Sequence, residues 1–595
     1  MNFVAAILYA VSTSTVLALL LAFCRGGLDH ASAALALAGG LLVASLTLWQ
    51  DRRPPHPSRP PSAPEWLAIV AFALVSLRIF LWLVFVEGDD IKVLSPNNLG
   101  DLSLHLTYVR YLASGVPFWP DNPIFTGGKL TYPIGIDLFH SLLALLGVDI
   151  LRGFIWMGVI GAALTGAALW RWGRGMALFG FLANGGIAGF AIFHTGQLVD
   201  FQSDLAWKSF ALALFATQRG LLFALPVGLL LLSSWRARFF SEEPGAWRLP
   251  FWGELLLYAS LPLFHFHTFL FLSVLLGVWF AGHAPARGGL LRLVGAAFVP
   301  ATALVYLITG GLKGGHLLGW KPGWMWDDQT YLDWCKAHLG QASSSVAAIT
   351  FWPINFGLLP VLVILLVAVL ARRNRDPWPR LVVFPALGVF LICCFVKFAP
   401  WEWDNTKLMI WSYLAILPFL WSELLARWPA WVRIPALIAL FFSGFISTLG
   451  GIDTTHTGFP VASRAELDSV ADALRNIPVT ERFAGAPAYN HPLLLNGRKM
   501  VLGYLGHVHS HGLDWQEPSA KLDALMNGDP AWAHLAEELG ARYLFWGKDE
   551  DDAYADSSKP WRQTARLVAS GDWGAIYDLK SAPTSPAGLL PAMHE

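Results

Sequence analysis

Carboxylate side chains gather where one apolar segment of the sequence ends. Glu87, Asp89 and Asp90 directly follow the apolar residues 65–86. A carboxylate at the edge of a bilayer can take a proton from a hydroxyl group or bind a divalent ion, while a lipid-linked molecule enters sideways from the membrane. Solvation of a helix end is the competing interpretation. The position of these side chains favours a functional role for at least one of them.

A second pair of polar residues follows in the same polar stretch, which closes with Tyr132 and Asp137. Asp101 and His105 are four residues apart and would share one face of a helix. This spacing suits a hydrogen-bonded pair that fixes the tautomer of the imidazole. Helix capping or surface polarity would explain the same spacing. We predict Asp101 and His105 as substrate-binding residues.

Three basic residues are candidates for binding a phosphate diester near the same membrane face. They are Arg219, Lys321 and Lys407. Charged groups at helix ends are costly unless they are paired or hydrated. We predict Asp404, in the outer-edge stretch 401–407, as a further substrate-binding residue. Snorkelling of long side chains is the alternative explanation. Lys313 and His316 are further polar residues predicted at this face.

Two groups of histidines could contact a substrate. His265 and His267 are two residues apart and would point to different sides of a helix, so we interpret them as a polar break between two helices. His507, His509 and His511 would share one face of an extended segment, which permits zinc or substrate contact. No carboxylate or cysteine spacing completes a zinc motif. We therefore predict a loop over a membrane cavity and no metal site.

The elements that must position these side chains are membrane helices. Hydrophobic residues make up 55% of the 595 residues and charged residues only 14%, whereas a soluble domain carries about a quarter charged residues. Thirteen segments are apolar and long enough, or nearly so, to span a bilayer. They are 3–24, 32–49, 65–86, 153–170, 177–193, 217–234, 250–264, 266–282, 290–309, 345–370, 380–398, 407–425 and 433–449.

Basic residues between these segments predict the orientation in the membrane. With a cytoplasmic N-terminus and thirteen spans, all of the basic loops lie inside and the C-terminus lies outside. If the amphiphilic segment 132–148 crossed the membrane, every later loop would reverse, so we place it in the interface as a juxtamembrane helix. The basic residues are Arg52, Arg53, Arg59, Arg171, Arg174, Arg236, Arg238, Arg287, Arg292, Arg372, Arg373, Arg375, Arg380, Arg427 and Arg433.

Three regions follow from this pattern. Residues 1–64 hold two membrane helices and a cytoplasmic loop, and residues 65–450 form a transmembrane domain with a long first outer loop, 87–152. Residues 451–595 lack spans and alternate amphipathic helices with short strands, such as 463–475 and 542–546, which predicts a small extracytoplasmic α/β domain. The fold class is therefore mainly α and polytopic. Basic and acidic residues are balanced at 41 each, which does not favour a nucleic-acid partner.

The order of these features resembles the GT-C superfamily of membrane glycosyltransferases, which use polyprenyl-phosphate-linked sugars. The resemblance rests on the acidic residues 87–90, the long outer loop, Tyr132-Pro133 before a juxtamembrane helix, the basic turn 171–174 and the outer C-terminal domain. The stretches 100–105, 403–407 and 503–512 are similar to poorly characterised bacterial multispan members. The two spans before residue 65 depart from the usual layout.

The resemblance implies a function as well as a fold. Asp89 or Asp90 would be the general base of an inverting hexosyl or pentosyl transfer at the extracytoplasmic face of a bacterial inner membrane, with Glu87 less favoured. The partners would be a lipid-linked sugar donor, a glycan, lipid or protein acceptor, and membrane lipids. No cofactor is assigned, although a divalent cation, Mg²⁺ or Mn²⁺, stays open.

Two rival functions belong to other classes. A transporter or flippase would need charged groups near the bilayer midplane and usually repeat symmetry, neither of which the sequence clearly contains. A non-catalytic envelope-polymer assembly protein would tolerate replacement of Asp89 and Asp90.

Overall fold

Apolar segments of the sequence form helices along most of the chain. The computed structural model describes residues 1–50, 59–94, 98–241, 246–312, 318–340, 343–372, 376–452 and 458–581. Six basic residues named above lie outside the described residues. They are Arg52, Arg53, Lys313, His316, Arg373 and Arg375.

The helices and strands that precede residue 242 are, in chain order, α1 (Asn2–Arg25), α2 (His30–Gln50), α3 (Ala63–Leu81), β1 (Val84–Glu87), β2 (Asp90–Val93), α4 (Asn98–Ala113), α5 (Gly135–Leu145), α6 (Ile150–Leu182), α7 (Ile192–Thr195) and α8 (Arg219–Phe239). Those that follow up to residue 452 are α9 (Phe251–Phe264), α10 (Phe266–Gly282), α11 (Arg287–Ile308), β3 (Gly319–Trp320), α12 (Gln329–Leu339), α13 (Ser344–Phe356), α14 (Leu359–Ala371), α15 (Trp378–Cys393), β4 (Val396–Lys397), α16 (Thr406–Phe419) and α17 (Ala430–Gly451).

The C-terminal elements are α18 (Arg464–Leu474), α19 (Pro492–Leu495), α20 (Leu505–Ser510), α21 (Gln516–Asn527), α22 (Trp532–Glu538), α23 (Lys548–Ala553) and α24 (Trp561–Thr564), with strands β5 (Phe459–Ser463), β6 (Arg482–Ala484), β7 (Lys499–Met500), β8 (Tyr543–Trp546), β9 (Arg566–Gly571) and β10 (Gly574–Asp578). Five strands form one sheet in the order β7-β6-β8-β10-β9. Its β7-β6-β8 part is parallel and its β8-β10-β9 part antiparallel. The predicted mainly α fold with a small C-terminal α/β unit is confirmed.

Among the described residues, eight helices are long and apolar enough to cross a membrane, or nine if α13 and α14, which meet at an angle of 80°, form one span. The shorter apolar helices are α5, α9, α10 and α15. The segment 132–148 contains a helix of only 11 residues, α5, which is shorter than the length needed to span a bilayer.

The predicted span 177–193 is wrong as a continuous helix. A break at Gly173 and Arg174 divides α6, whose second arm ends at Leu182. The side chain of Asn184 then bonds to backbone outside the helix, donating to the Lys208 carbonyl at 2.7 Å and accepting from the Phe210 amide at 2.8 Å. These two hydrogen bonds hold the backbone after Leu182 in a conformation that is not α-helical. The next α-helix, α7, begins at Ile192 and has four residues.

The core of the bundle surrounds α8, which is apolar on all sides and almost wholly buried. Indole groups connect the helices around it. Trp172 of α6 donates to the Leu414 carbonyl of α16 at 2.9 Å, and Trp411 of α16 donates to Thr268 Oγ1 of α10 at 2.8 Å. The two N-terminal helices also belong to this bundle, because α1 packs against α2, α5 and α9.

The first outer loop and the C-terminal unit pack into one body. Arg482 of β6 is buried and donates to the carbonyls of Asn122 (3.3 Å), Phe125 (3.0 Å) and Met500 (2.5 Å). A second sheet has the order β1-β2-β5, in which β2 of the loop pairs with β1 on one side and with β5 on the other. The loop is therefore fixed by residues that lie more than 350 positions away in the sequence.

We expect Arg482→Met to lower the free energy of unfolding by about 3 kcal/mol, because buried carbonyls lose a charged donor. Arg475→Met is the matched control, since Arg475 and its partner Asp472 have side chains that are 74% and 72% exposed. Thermal unfolding in detergent, followed by tryptophan fluorescence, compares the two variants. Equal shifts would contradict a special role for Arg482.

Candidate active site

A buried histidine–carboxylate pair joins the two helices of the first outer loop. His105 Nδ1 of α4 lies 2.9 and 3.0 Å from the two carboxylate oxygens of Asp137 on α5. The side chains are only 3% and 1% exposed. The sequence predicts a hydrogen-bonded partner for His105, but the structure supplies Asp137 where the spacing suggests Asp101. Both oxygens of Asp137 face the ring, which fixes its orientation.

Asp101 lies one turn before His105 on α4 and is only half-buried. Its Oδ2 accepts one long hydrogen bond, 3.2 Å, from Gln218 Nε2. It also interacts with the charges of His105, Lys407 and Asp404. Burial raises the pKa of this carboxyl group above its usual range. A weakly bonded, partly accessible carboxylate with a raised pKa has the properties of a general base.

The membrane helices supply the positive side of the same polar cluster, which we call the hollow and define by the partly accessible side chains of Asp101, Asp404 and Lys407. Lys407 Nζ lies 3.0 Å from Asp404 Oδ1, and both side chains are partly accessible. His267 interacts with the charges of both residues. His265 caps α10, with its Nδ1 accepting from the Thr268 amide at 3.2 Å. The predicted polar break between two helices at His265 is thus confirmed.

Arg219 lies beneath the His105–Asp137 pair. It is 2% exposed, donates to the Phe154 carbonyl at 3.1 Å and has its guanidinium 4.3 Å from the centre of the Phe154 ring. Its positive charge interacts with Asp137. Arg219 therefore provides a fixed positive charge that interacts with Asp137 of the buried pair.

These side chains share one structural position, because each stands at or near the start of its helix. The helices concerned are α4 with Asp101, α5 with Asp137, α8 with Arg219, α10 with His267 and α16 with Lys407. The amide groups at a helix N-terminus carry a partial positive charge and favour anions. Their convergence creates a site for a negatively charged group beside a carboxylate.

The C-terminal unit forms the outer wall of the hollow. His511 stacks on Tyr132 with ring centres 4.9 Å apart, and it interacts with the charges of His105, Asp404 and Lys407. The interpretation of 506–512 as an extended loop is wrong, because 505–510 form α20. His507 and His511 are consequently one helical turn apart, while His509 lies on the exposed side. Gly506 and Gly512 flank the histidines, and because glycine disfavours a helix the sequence does not predict α20.

The two inner histidines are neutral at neutral pH. Burial lowers the pKa of His511 to about 3 and that of His507 to about 4, from the ordinary value of 6.5. Neighbouring imidazoles, and Lys407 beside His511, act in the same direction. Neutral imidazoles can donate or accept a hydrogen bond without adding charge to the hollow.

The predicted acidic residues of the membrane boundary lie in a different place. Glu87, Asp89 and Asp90 belong to the β1–β2 hairpin, where Glu87 pairs with Lys92 at 2.6 Å. Asp89 accepts from the Ser463 hydroxyl and from the Ala465 amide at 2.9 Å, which caps α18. The bond from Ser463 lowers the pKa of Asp89, which weakens it as a base.

Lys321 also lies apart from the polar hollow in the described contacts. Its amine pairs with Glu402 and its amide donates to the Phe395 carbonyl at 2.8 Å, beside the small β3–β4 sheet. Its side chain is 52% exposed. Of the three predicted cations, Lys407 is the one whose described contacts place it partly accessible beside Asp101.

Sequence reasoning missed two residues of this region. His140 is one turn after Asp137 on α5 and interacts with the charges of Arg219 and His105. The three-residue spacing of Asp137 and His140 is a sequence pattern that could have identified His140. Tyr489, from the C-terminal unit, packs near His507 and interacts with Asp101. No local pattern marks Tyr489, because its neighbours in space are remote in sequence.

The side chains do not fit a divalent cation. Within the part of the chain that the structure describes, no three His, Cys, Asp or Glu side chains are grouped to hold a metal ion. The two carboxylates that face the hollow, Asp101 and Asp404, share it with the positive charge of Lys407. A fixed amine thus stands where an added cation would be repelled.

No protein-family model matches the chain, and no curated protein matches it. Among solved structures, it is similar to the oligosaccharyltransferase of Archaeoglobus fulgidus. The apo form has 12% identity and a TM-score of 0.39, covering 81% of this chain and 69% of that one. The complex with Zn and sulfate has 12% identity and a TM-score of 0.44, covering 87% and 74%. A likeness at this level assigns no activity.

We expect the free energy of unfolding to decrease as the pH falls from about 6.5 towards about 4. Because the folded-state pKa values of His507 and His511 lie below the unfolded ones, the unfolded chain takes up protons first. At about pH 5, each histidine therefore lowers the free energy of unfolding by about 2 kcal/mol relative to neutral pH. Thermal unfolding between about pH 7 and 5 measures how the free energy of unfolding changes with pH.

The double variant His507→Asn/His511→Asn should lose part of this pH dependence. His509→Asn is the matched control, since His509 is exposed on the same short helix. A double variant with the same slope as the wild type would contradict the burial of neutral imidazoles.

Proposed function

We propose that this protein is a membrane glycosyltransferase that moves a sugar from a polyprenyl-phosphate donor to an acceptor hydroxyl group at the extracytoplasmic face. The observation that carries the proposal is a carboxylate with a raised pKa, Asp101, beside a fixed cation, Lys407, in a hollow where several helix N-termini meet. Sugar transfer from a phosphate needs a base for the nucleophile and positive charge for the leaving group.

Asp101 serves as the base in this proposal. Its carboxylate takes the proton of the acceptor hydroxyl, the acceptor oxygen bonds to the anomeric carbon, and the bond from that carbon to the phosphate oxygen breaks. One direct displacement of this kind inverts the anomeric configuration. Gln218 orients Asp101 through the 3.2 Å hydrogen bond. The geometry favours Asp101 over Asp89 and Asp90, whose carboxylates are in the hairpin.

Lys407 binds the departing polyprenyl phosphate. Lys407 lies in the first turn of α16, and its amine is paired with Asp404. Its charge also interacts with His267 at the start of α10. The positive ends of these helices add to the attraction for phosphate. Arg219 and the His105–Asp137 pair support the site from beneath, as positioning residues, because they are buried.

The acceptor enters from the side of the C-terminal unit. Tyr132, Tyr489 and the neutral His507 and His511 form this wall, with aromatic faces and uncharged donors that suit a sugar or a polar acceptor. Contacts with this wall decide whether the acceptor is a glycan, a lipid or a protein.

We expect Asp101→Asn to lower the rate of sugar transfer by at least about a hundredfold, because a general base is removed at nearly constant shape. Purified protein in nanodiscs, supplied with lipid extracts as donor, measures transfer. Wild-type activity should decrease as the pH falls through a pKa above the usual Asp range, because only the ionised carboxylate accepts the proton.

Asp89→Asn and Asp90→Asn are the comparison variants, each checked for folding by its thermal transition. They should retain most of the activity. Loss of transfer in either of them, with full activity in folded Asp101→Asn, would return the base to the hairpin. No transfer by the wild type with any donor pool would overturn the enzyme assignment and favour a transporter or an assembly protein.

Lys407→Gln should raise the KM for the lipid-linked donor by about tenfold or more, since a charged contact to phosphate is lost. Lys321→Gln is the matched control, because Lys321 is a lysine at a helix-bundle edge with its own carboxylate partner, Glu402. Equal effects of the two substitutions on KM would show that the effect is one of general charge.

A further inference from the structure

A polar cavity lies at the end of α8 that is remote from the proposed active site. Its volume is about 450 Å³, and Arg236 lines it. Arg219 begins α8 and Arg236 follows seventeen residues later, which corresponds to about 25 Å along the helix axis. The cavity therefore faces the opposite side of the bundle, where the basic loops predict the cytoplasm.

Two arginines from different helices give this cavity a positive rim. Arg171 of α6 and Arg236 of α8 are both exposed and close enough for their charges to repel. Among the described residues that line the cavity, Asp376 is the one carboxylate. Its Oδ1 accepts from the Trp378 amide at 2.9 Å, at the start of α15. The rim thus holds more positive than negative charge among these residues.

The floor of the cavity contains two hydrogen-bond donors without a partner among the described residues. Ser233 is 7% exposed and Trp378 is 2% exposed, and neither the hydroxyl of Ser233 nor the indole N–H of Trp378 is hydrogen-bonded. A buried polar group without a partner is costly. Donors below a positive rim are complementary to the oxygens of a bound anion.

The rest of the lining is apolar and aromatic. Trp172, just before the break in α6, and Phe240, at the end of α8, border the cavity. The guanidinium of Arg236 lies 6.0 Å from the ring centre of Trp378, and both residues line the cavity. An occupant therefore meets positive charge, hydrogen-bond donors and hydrophobic surface together.

We propose that this cavity binds the phosphate group of an anionic phospholipid from the leaflet next to Arg171 and Arg236. Arginine presents planar, bidentate donors that match a phosphate, and basic pockets between membrane helices bind lipid head groups. The aromatic border accommodates the glycerol and upper acyl part of such a lipid. This site is separate from the proposed sugar transfer and does not depend on it.

The test measures lipid binding by the purified full-length protein in detergent. Phosphatidylglycerol, phosphatidylcholine and inorganic phosphate are each titrated while the thermal transition is followed, and native mass spectrometry counts bound lipids. We expect phosphatidylglycerol to raise the Tm of the wild type more than phosphatidylcholine does, and inorganic phosphate to have little effect.

The variant Arg171→Gln/Arg236→Gln should bind phosphatidylglycerol about thirtyfold more weakly, since each basic contact to an anionic lipid contributes a factor of about five. Arg287→Gln/Arg292→Gln is the matched control, because it removes two arginines predicted for the same membrane face that do not line the cavity. An unchanged affinity of the first variant, or an equal loss in the control, would overturn the proposal.

Ser233→Ala provides a second test that removes only a buried hydroxyl group and leaves all charges in place. It should weaken phosphatidylglycerol binding severalfold without a lower Tm in lipid-free detergent, because the hydroxyl has no partner there. Unchanged lipid binding in Ser233→Ala would overturn its part in the site. A Tm shift by inorganic phosphate as large as that by the lipid would overturn the lipid as the occupant.

Discussion

The hydrogen bond between His105 and Asp137 is the contact on which the rest of the site depends. Both side chains are buried, so separating them would leave a carboxylate in an apolar environment, where the charge of Arg219 interacts with it. The bond holds α4 against α5, and α4 in turn carries Asp101. The position of the proposed base is therefore set by a pair that does not itself reach the surface of the hollow.

A second constraint is the junction between the first outer loop and the C-terminal unit. Arg110 of α4 donates to the Leu495 carbonyl and to Asn496 Oδ1, both at 2.9 Å, and Arg482 donates in the other direction to Asn122 and Phe125. Because arginine satisfies several carbonyls at once, few side chains fix the two segments rigidly. This junction carries α20 over the hollow and sets His511 on Tyr132.

The carboxylates of the hairpin and those of the hollow differ in what they bond. Asp89 is exposed and accepts hydrogen bonds from the Ala465 amide in the first turn of α18 and from the hydroxyl of Ser463, the N-cap residue of that helix, which gives Asp89 a structural role. Asp101 is partly buried and accepts one long hydrogen bond. The acidic residues of the first outer loop thus occupy two different environments, and sequence position does not separate them.

The amino-acid sequence by itself determined the helical, polytopic character, the small α/β unit at the C-terminus and most of the polar residues that meet in the hollow. These features are local, since apolar length and the alternation of polar and apolar residues report directly on whether a segment is buried in lipid. Arg219, His267, Asp404 and Lys407 were identifiable as polar residues near the ends of apolar segments, Asp101 and His105 as polar residues of the first outer loop, and His507 as one of the histidines of the C-terminal region.

Only the tertiary structure decided how these residues are paired. It joined His105 to Asp137 rather than to Asp101, placed Asp89 and Asp90 in a sheet with β5, made a helix of 505–510 and broke the span 177–193 at Asn184. The pairing of His105, the sheet with β5 and the break at Asn184 each depend on a partner that lies at least 24 residues away in the chain. A local pattern specifies which groups need a partner, whereas the choice of partner follows from which helices pack together and which buried charges must be neutralised.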